Sequence, residues 1–318
     1  MKKFIQLIRL QNIISLLIFQ ALMYYGVVVA ILTKYGLSFS YISLEIVLLF
    51  IASAFIAAAG YVVNDYFDTK IDTINKPDKV IIGKTLSRQQ AAWIFQSLFG
   101  IGILAGIVLA FLLKDVSVGF IFIVIPGLLW FYSASYKRQF LLGNLIIGLC
   151  AAVSLFLVAY IQSLLLVKQY GELIHYTQII PEILQWVGGF SLFAFLLTVL
   201  REIVKDMEDV EGDREMECRT VPIVWGIAKT KIVAYVLGAV TIALLAYFSF
   251  FKIQFANDNV TERYFLFGVL MPFFVFFYLL FKAKGKSDYH QISTFVKFMM
   301  FLGVLYSLFL PYLMTINA

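Results

Sequence analysis

Residues 52–72 read ASAFIAAAGYVVNDYFDTKID. The first part of this stretch is a run of apolar and small residues, and the last third carries three aspartates. The run is the end of a longer apolar segment, residues 41–63, which is long enough to cross a bilayer as a helix of about 20 residues. Because charge begins where the apolar segment stops, the stretch predicts a spanning helix that carries acidic side chains at one membrane surface.

Composition extends this prediction to the whole chain. Of its 318 residues, 62% are hydrophobic and 14% are charged, against roughly 25% charged in ordinary soluble domains. A soluble interior cannot hide so many apolar side chains, so soluble and disordered proteins are excluded. Apolar runs of this length indicate helices rather than barrel strands, so we expect an all-α integral membrane protein, one domain over residues 1–318. The nine predicted spans are 12–33, 41–63, 91–113, 116–134, 141–166, 183–204, 230–251, 263–282 and 292–314.

The basic residues predict how the spans are oriented. With nine spans, nineteen Lys and Arg residues fall on the side of the N-terminus and five on the other, leaving aside Lys297, which lies inside the last span. The positive-inside rule then predicts a cytoplasmic N-terminus and an external C-terminus. The same rule explains the net charge of +6, so we expect no nucleic-acid partner. The expected location is a cytoplasmic (inner) membrane if the source is bacterial or archaeal.

The acidic residues are concentrated in two short segments. Twelve of the nineteen Asp and Glu residues lie in 65–78 and 202–217, directly after the second and sixth predicted spans. Both segments are predicted to be cytoplasmic loops. Each contains aspartates spaced i, i+3 and i+7, which share one face of a helix: Asp65, Asp68 and Asp72 in the first motif, and Asp206, Asp209 and Asp213 in the second.

Like charges on one helix face are mildly destabilising, so a cation is expected to neutralise them. Mg²⁺ prefers carboxylate oxygens together with substrate phosphates. Two such faces opposed across a bundle would form a magnesium site suited to a diphosphate. The alternatives are solvated acidic loops, an ion or proton relay in a transporter, and a structural role. A relay usually lies near the membrane midplane, whereas these acids lie at its edge.

Basic residues recur beside the acidic segments. Lys76 and Lys79 follow the first motif, and Arg201 and Lys205 precede Asp206. Such bases would complete the neutralisation of a diphosphate. The sequence contains no P-loop, dinucleotide fingerprint or nucleophile elbow. Gly60 is interpreted as a helix-packing residue.

The motifs Asn64-Asp65-x-x-Asp68-x-x-x-Asp72, followed by Asn75-Lys76-Pro77, and Asp209-x-x-x-Asp213 resemble the UbiA superfamily of intramembrane prenyltransferases. The segment Tyr132…Lys137-Arg138…Gly143-Asn144 fits the same superfamily, so the resemblance covers essentially the whole chain. Within the superfamily, the motifs are most similar to the branch of digeranylgeranylglyceryl phosphate synthases.

The resemblance implies a Mg²⁺-dependent transfer of a polyprenyl group, such as geranylgeranyl, from its diphosphate to a lipophilic acceptor, with the prenyl chain in a groove open to membrane lipid. Asn64, Asp68, Asp209 and Asp213 would hold Mg²⁺. Asp65, Asp72 and Asp206 would be further metal ligands or would support these ligands, and the carboxylates Asp68, Asp72, Asp206 and Asp209 would be the catalytic set. The diphosphate would be bound by Lys76, Lys137, Arg138 and Arg219, and Arg9 and Asn12 resemble polar positions of the first helix that face the same cavity.

The chain departs from the lipid synthases after the first motif. They usually continue with Arg-Pro-x-Pro-Ser-Gly, whereas residues 79–84 here are Lys-Val-Ile-Ile-Gly-Lys. That segment lies beside the acceptor in the family. The expected acceptor is a prenylated glycerol phosphate, and the alternative is an aromatic acceptor of the quinone type, such as dihydroxynaphthoate.

Overall fold

The computed structural model describes residues 2–37, 42–75, 80–253, 255 and 258–316. Within these ranges the chain is helical, and nine of its helices are long and apolar enough to cross a membrane. We label them α1–α9 in chain order. They are α1 Leu10–Lys34, α2 Leu44–Ile74, α3 Arg88–Leu113, α4 Val116–Ala134, α5 Leu142–Tyr170, α6 Ile179–Glu208, α7 Val221–Phe251, α8 Asn259–Lys282 and α9 Lys286–Ile316.

The nine predicted spans are confirmed, but several helices extend beyond their predicted bounds. The second span was predicted to end at residue 63, and α2 instead continues through the first Asp motif. Likewise α9 begins at Lys286, ahead of the predicted 292. α7 begins at Val221, ahead of the predicted 230, but its backbone breaks at Gly226, where φ is 78°. Hydropathy detects only the part of a helix that lies in hydrocarbon, whereas backbone hydrogen bonding continues the helix into the polar region. Residues 65–75 of the first Asp-rich segment are therefore helical, and the prediction of a loop over them was wrong.

Glycines allow three helices to approach closely. On α3, a Cβ at Gly102 would lie 2.6 Å from Cγ1 of Ile56, and a Cβ at Gly106 would lie 2.3 Å from Cγ of Phe122. Gly60 on α2 faces α4, where a Cβ would lie 3.1 Å from Cδ1 of Leu129. Small residues permit such contacts between membrane helices. The packing role predicted for Gly60 is confirmed.

The outer surface of the bundle is apolar. Phe111, Phe120 and Phe281 are 83%, 66% and 77% exposed. Large apolar side chains exposed over a whole bundle are unfavourable in water and suited to lipid. The chain is thus an integral membrane protein that crosses the membrane several times.

Successive spans run in opposite directions, so the start of α1 and the ends of α2 and α6 lie at the same end of the bundle. This end carries both Asp motifs and is called the acidic end. In the half of the bundle away from it, Val28 and Ile31 of α1 are fully buried. At the boundary, the buried Gln20 donates from Nε2 to Oγ of Ser53 and to the carbonyl of Ser154, both at 2.9 Å. Ser53 and Ser154 line a cavity that extends from there toward the acidic end.

Candidate active site

The first Asp motif lies on the last turns of α2. Nδ2 of Asn64 donates to Oδ2 of Asp68 at 3.0 Å, as expected for i, i+4 neighbours. Nζ of Lys137 lies 2.5 Å from Oδ1 of Asp68 and donates to Oδ1 of Asn64 at 3.2 Å. Asp72 lies one turn further along the same helix. The ammonium group of Lys137 therefore bridges Oδ1 of Asn64 and Oδ1 of Asp68.

The connection between α4 and α5 positions Lys137. A 3₁₀ turn over Tyr136–Arg138 precedes α5, and Gly143 in the first turn of α5 packs directly on it. A Cβ at Gly143 would lie 2.7 Å from Cα of Lys137. The backbone N–H of Arg219 donates to the carbonyl of Arg138 at 2.7 Å. This bond ties the connection to the segment that follows the second Asp motif.

The second Asp motif does not lie on one continuous helix, and in this respect the prediction was wrong. The last helical residue of α6 is Glu208, Asp209 has φ −97° and ψ 10°, and a short helix follows over Val210–Glu215. The break redirects Asp213 relative to Asp206. Oδ2 of Asp206 accepts from Nδ2 of Asn144 at 2.8 Å, and Oδ2 of Asp213 accepts from Oγ1 of Thr220 at 3.2 Å.

The two motifs face each other. The short helix Val210–Glu215 packs against α2. Burial and the neighbouring charge of Asp209 raise the pKa of Asp213 to about 6, and Asp68 of the first motif contributes to the same increase. The carboxylates of both motifs therefore repel one another at the acidic end.

The donor set fits a hard divalent cation, although among the described residues no three carboxylate, imidazole or thiol side chains lie close enough to share one ion. The facing side chains offer carboxylate and amide oxygens, which Mg²⁺ prefers. A cation there would relieve the repulsion that raises the pKa of Asp213. Burial also lowers the pKa of Lys137, against the opposing charge of Asp68. The ammonium of Lys137 thus takes a position beside Asp68 and Asn64 that suits a cation.

Arg9 connects the start of α1 to the first motif. Its Nη2 donates to Oδ1 of Asp65 at 2.7 Å, and its guanidinium lies 5.0 Å from the ring centre of Tyr61. Arg9 has φ 51°, in the left-handed region, at the point where α1 begins. This turn directs the side chain toward α2, where Arg9 forms an ion pair with Asp65.

A cavity of about 370 Å³ lies directly beneath the motifs. Its walls are largely apolar and aromatic, with contributions from α1, α2, α4, α5, α6 and α9. Toward the acidic end it is lined by Asn64, Tyr61 and Tyr132, and Asn12 of α1 lies in the same wall. The polar rim and the apolar body together suit a molecule with a charged head and a hydrocarbon chain.

Two charged residues that line the cavity were not predicted as site residues, Glu202 on α6 and Lys297 on α9. Arg201 and Lys205 on α6, which were expected to help neutralise a diphosphate, line the cavity beside them. Nη1 of Arg201 contacts Oε1 of Glu202, and Nζ of Lys205 lies 3.8 Å from Oε2 of Glu202. The sequence does contain one signal for these residues. Lys297 lies inside an apolar span, and ionisable residues inside membranes usually face a bundle interior.

Of the remaining predicted residues, Arg138 and Arg219 are held together through their backbones, and their side-chain roles remain predictions. Lys76 lies outside the described residues. The structure thus brings together Asn64, Asp68 and Lys137, pairs Arg9 with Asp65, and pairs Asp206 with Asn144.

The comparisons with known proteins agree with this geometry. The sequence pattern of the UbiA prenyltransferase family matches residues 22–305. The chain belongs to the UbiA prenyltransferase family. It is therefore a membrane-embedded prenyltransferase, and the family assignment expected from the Asp motifs is confirmed.

Curated relatives of this UbiA family member include digeranylgeranylglyceryl phosphate synthases. The protein of Sulfolobus acidocaldarius is 29% identical over 308 residues, which cover 93% of this chain and 96% of the relative. That of Sulfurisphaera tokodaii is 31% identical over 258 residues, 79% of this chain and 81% of the relative.

Solved structures share the fold. A digeranylgeranylglyceryl phosphate synthase structure has a TM-score of 0.66 at 24% identity and covers 98% of both chains. A UbiA homolog from Archaeoglobus fulgidus bound to GPP and Mg²⁺ has a TM-score of 0.57 at 14% identity, covering 96% of this chain and 99% of the other. At these identities the similarity establishes the fold.

Proposed function

We propose that the protein transfers a polyprenyl group from its diphosphate to a prenylated glycerol phosphate, with Mg²⁺, at the cytoplasmic surface of the membrane. One observation carries the proposal. Asn64 of the first Asp motif lines the polar end of a largely apolar cavity, and Lys137 and the second Asp motif lie beside the first motif, so a diphosphate head and a hydrocarbon chain can be bound together.

Asn64, Asp68, Asp209 and Asp213 would hold Mg²⁺, with Asp65, Asp72 and Asp206 as further ligands or as supports for the ligands. When bound, the metal supplies charge neutralisation for the diphosphate leaving group. In the structure Asp65 accepts a hydrogen bond from Arg9, and Asp206 accepts one from Asn144.

Basic side chains would bind the diphosphate. Lys137 is already at the first motif, and Arg138 and Arg219 are linked beside it. Lys76 joins this set on its sequence position after the motif, and Arg9 and Asn12 flank it from α1. Stabilising negative charge as it develops on a leaving group is usually the largest single contribution to such catalysis.

The chain's own residues would also protect the reactive carbon. The bond between the prenyl C1 and the diphosphate oxygen breaks with both electrons on the oxygen, which leaves an allylic cation. Tyr61 and Tyr132 line the cavity near Asn64, and aromatic faces stabilise cations. The oxygen of the acceptor hydroxyl then forms the ether bond with C1, and its proton passes to the departed diphosphate.

Two observations support the proposed acceptor and the proposed side of the membrane. Relatives that cover most of this chain are named digeranylgeranylglyceryl phosphate synthases. The sequence also assigns nineteen Lys and Arg residues to the side of the Asp motifs and five to the other, which favours the cytoplasmic side.

The test is a transfer assay with purified protein, geranylgeranyl diphosphate and Mg²⁺. The acceptors offered are geranylgeranylglyceryl phosphate and dihydroxynaphthoate, and products are identified by mass spectrometry. We expect an ether product from the glycerol phosphate only with Mg²⁺ present. Consumption of dihydroxynaphthoate alone would establish the aromatic acceptor instead. Release of diphosphate without any product would contradict both acceptors.

A further inference from the structure

The inner wall of the cavity carries an excess of positive charge that the diphosphate site does not use. Arg201, Lys205 and Lys297 contribute three positive charges, and Glu202 contributes one negative charge. Arg9 also lines the cavity, but it is bound to Asp65. We call Arg201, Glu202, Lys205 and Lys297 the inner basic cluster. Its formal net charge is +2.

Two members of the cluster carry groups without a partner among the described residues, the buried Nε atom of Arg201 and the ammonium group of Lys297. Within the described part of the chain Lys297 makes no hydrogen bond or ion pair, whereas Arg201 and Lys205 both approach Glu202. Its side chain is exposed and lines the cavity. A lysine inside a membrane bundle is costly unless something compensates it. The uncompensated charge therefore points to an anion supplied by a substrate.

This anion differs from the diphosphate of the donor. On α6, Arg201 precedes Asp209 by eight residues, about 12 Å along a helix axis. None of the carboxylates of the two Asp motifs lines the cavity, whereas the inner basic cluster does. The buried hydroxyl of Thr198, one turn deeper in the same wall, has no hydrogen-bond partner among the described residues. In contrast, the helix hydroxyls of Ser163 and Ser191 donate to the carbonyl four residues earlier.

We propose that the inner basic cluster, through Lys297 and Arg201, binds the phosphate of the acceptor. The inference rests on the proposed function and adds the site that selects a phosphorylated acceptor. A phosphate monoester carries nearly two negative charges at neutral pH, which matches the net charge of the cluster. In a glycerol phosphate the free hydroxyl is at most two carbon atoms from the phosphate-bearing carbon. Binding the phosphate therefore holds that hydroxyl in the cavity, beneath the Asp motifs.

The experiment compares two acceptors in two proteins. The acceptors are prenylated glycerol phosphate and the same prenylated glycerol without its phosphate, and the proteins are the wild type and Lys297→Met. We expect Lys297→Met to raise KM for the phosphorylated acceptor about 10-fold or more, the typical effect of losing a charged hydrogen-bond partner. KM for the donor diphosphate should stay within about twofold. On the dephosphorylated acceptor, the two proteins should behave alike.

Two further variants complete the design. Lys297→Arg retains the charge and should recover most of the acceptor affinity. Lys282→Met removes an exposed base at the end of α8 and should change neither KM. Thermal unfolding of each variant checks that the bundle is intact.

The other possible KM results would each contradict either the inference or the proposed function. If KM for the donor rises with that for the acceptor, Lys297 belongs to the diphosphate site and the inference is wrong. If KM is unchanged, or if both acceptors lose equally, the cluster does not recognise phosphate. If the wild type does not use the glycerol phosphate at all, the proposed function falls, and the inference with it.

Discussion

At the scale of the residue, the ammonium group of Lys137 lies beside two of the proposed Mg²⁺ ligands. Lys137 contacts both Asn64 and Asp68, and burial lowers its pKa while the charge of Asp68 opposes that change. The charge of Asp68 therefore offsets part of the cost of burying the ammonium group, and the ammonium group offsets part of the cost of burying the carboxylate.

Replacing Asp68 tests the metal and diphosphate site directly. Asp68→Asn should lower kcat/KM by about 100-fold or more, because a neutral amide binds Mg²⁺ weakly and leaves the leaving group less stabilised. The matched control is Asp115→Asn, which alters an N-cap at the other end of the bundle. Asn is an equally good cap, so steady-state kinetics of this variant should match the wild type. Near-normal turnover of Asp68→Asn would refute the assigned role.

Removing Lys137 should affect stability differently with and without ligands. Lys137→Met leaves the charge of Asp68 without its partner, which should lower the free energy of unfolding by about 1–3 kcal/mol. With Mg²⁺ and donor diphosphate present, the bound cation should replace the missing charge and reduce this loss. Thermal unfolding under both conditions measures the difference. An equal loss in the two conditions would mean that Lys137 has only a packing role.

At the scale of the element, the start of α5 fixes the position of Lys137. Gly143→Ala would place a methyl group 2.7 Å from Cα of Lys137, so the backbone of the 3₁₀ turn has to move. Because small displacements of catalytic groups reduce rates strongly, turnover should fall about 10-fold or more. Gly127→Ala on α4 is the matched control, since nothing lies within 4 Å of its Cβ. Equal kinetics in the two variants would show that the contact is not needed.

The elements also show which parts of the site the sequence could predict. The i, i+3, i+7 spacing correctly predicted a shared face for Asp65, Asp68 and Asp72, because α2 remains helical past the apolar segment. The same spacing misled at Asp209, where the helix ends and a short one begins. A spacing rule assumes an unbroken helix, and the break depends on packing between Val210–Glu215 and α2.

At the scale of the whole molecule, charge asymmetry predicts the orientation. Single cysteines can test it after Cys150 and Cys218 are replaced by Ser. Tyr176, which is 85% exposed, lies in the connection between α5 and α6 and is changed in Tyr176→Cys. Lys284 lies between α8 and α9 and is changed in Lys284→Cys. A membrane-impermeant maleimide should label the first in intact cells and the second only after lysis. The reverse pattern would invert the topology.

The arrangement of the bundle accounts for what the sequence could not reveal. Hydropathy correctly located nine spans, but it contains no information on which spans are neighbours. Lys297 and Arg201 are almost a hundred residues apart in sequence, and they line one cavity only because α9 packs against α6. The inner basic cluster is therefore a property of the tertiary structure.

The position of the cavity has an electrical consequence. Beyond Gln20, α1 carries the buried apolar side chains Val28 and Ile31, and moving a bare charge into such surroundings costs tens of kcal/mol, to order of magnitude. We therefore expect anionic substrates to enter the cavity, and anionic products to leave it, at the acidic end. No net charge would then cross the membrane during a reaction cycle, so turnover should be the same in energised and de-energised membranes.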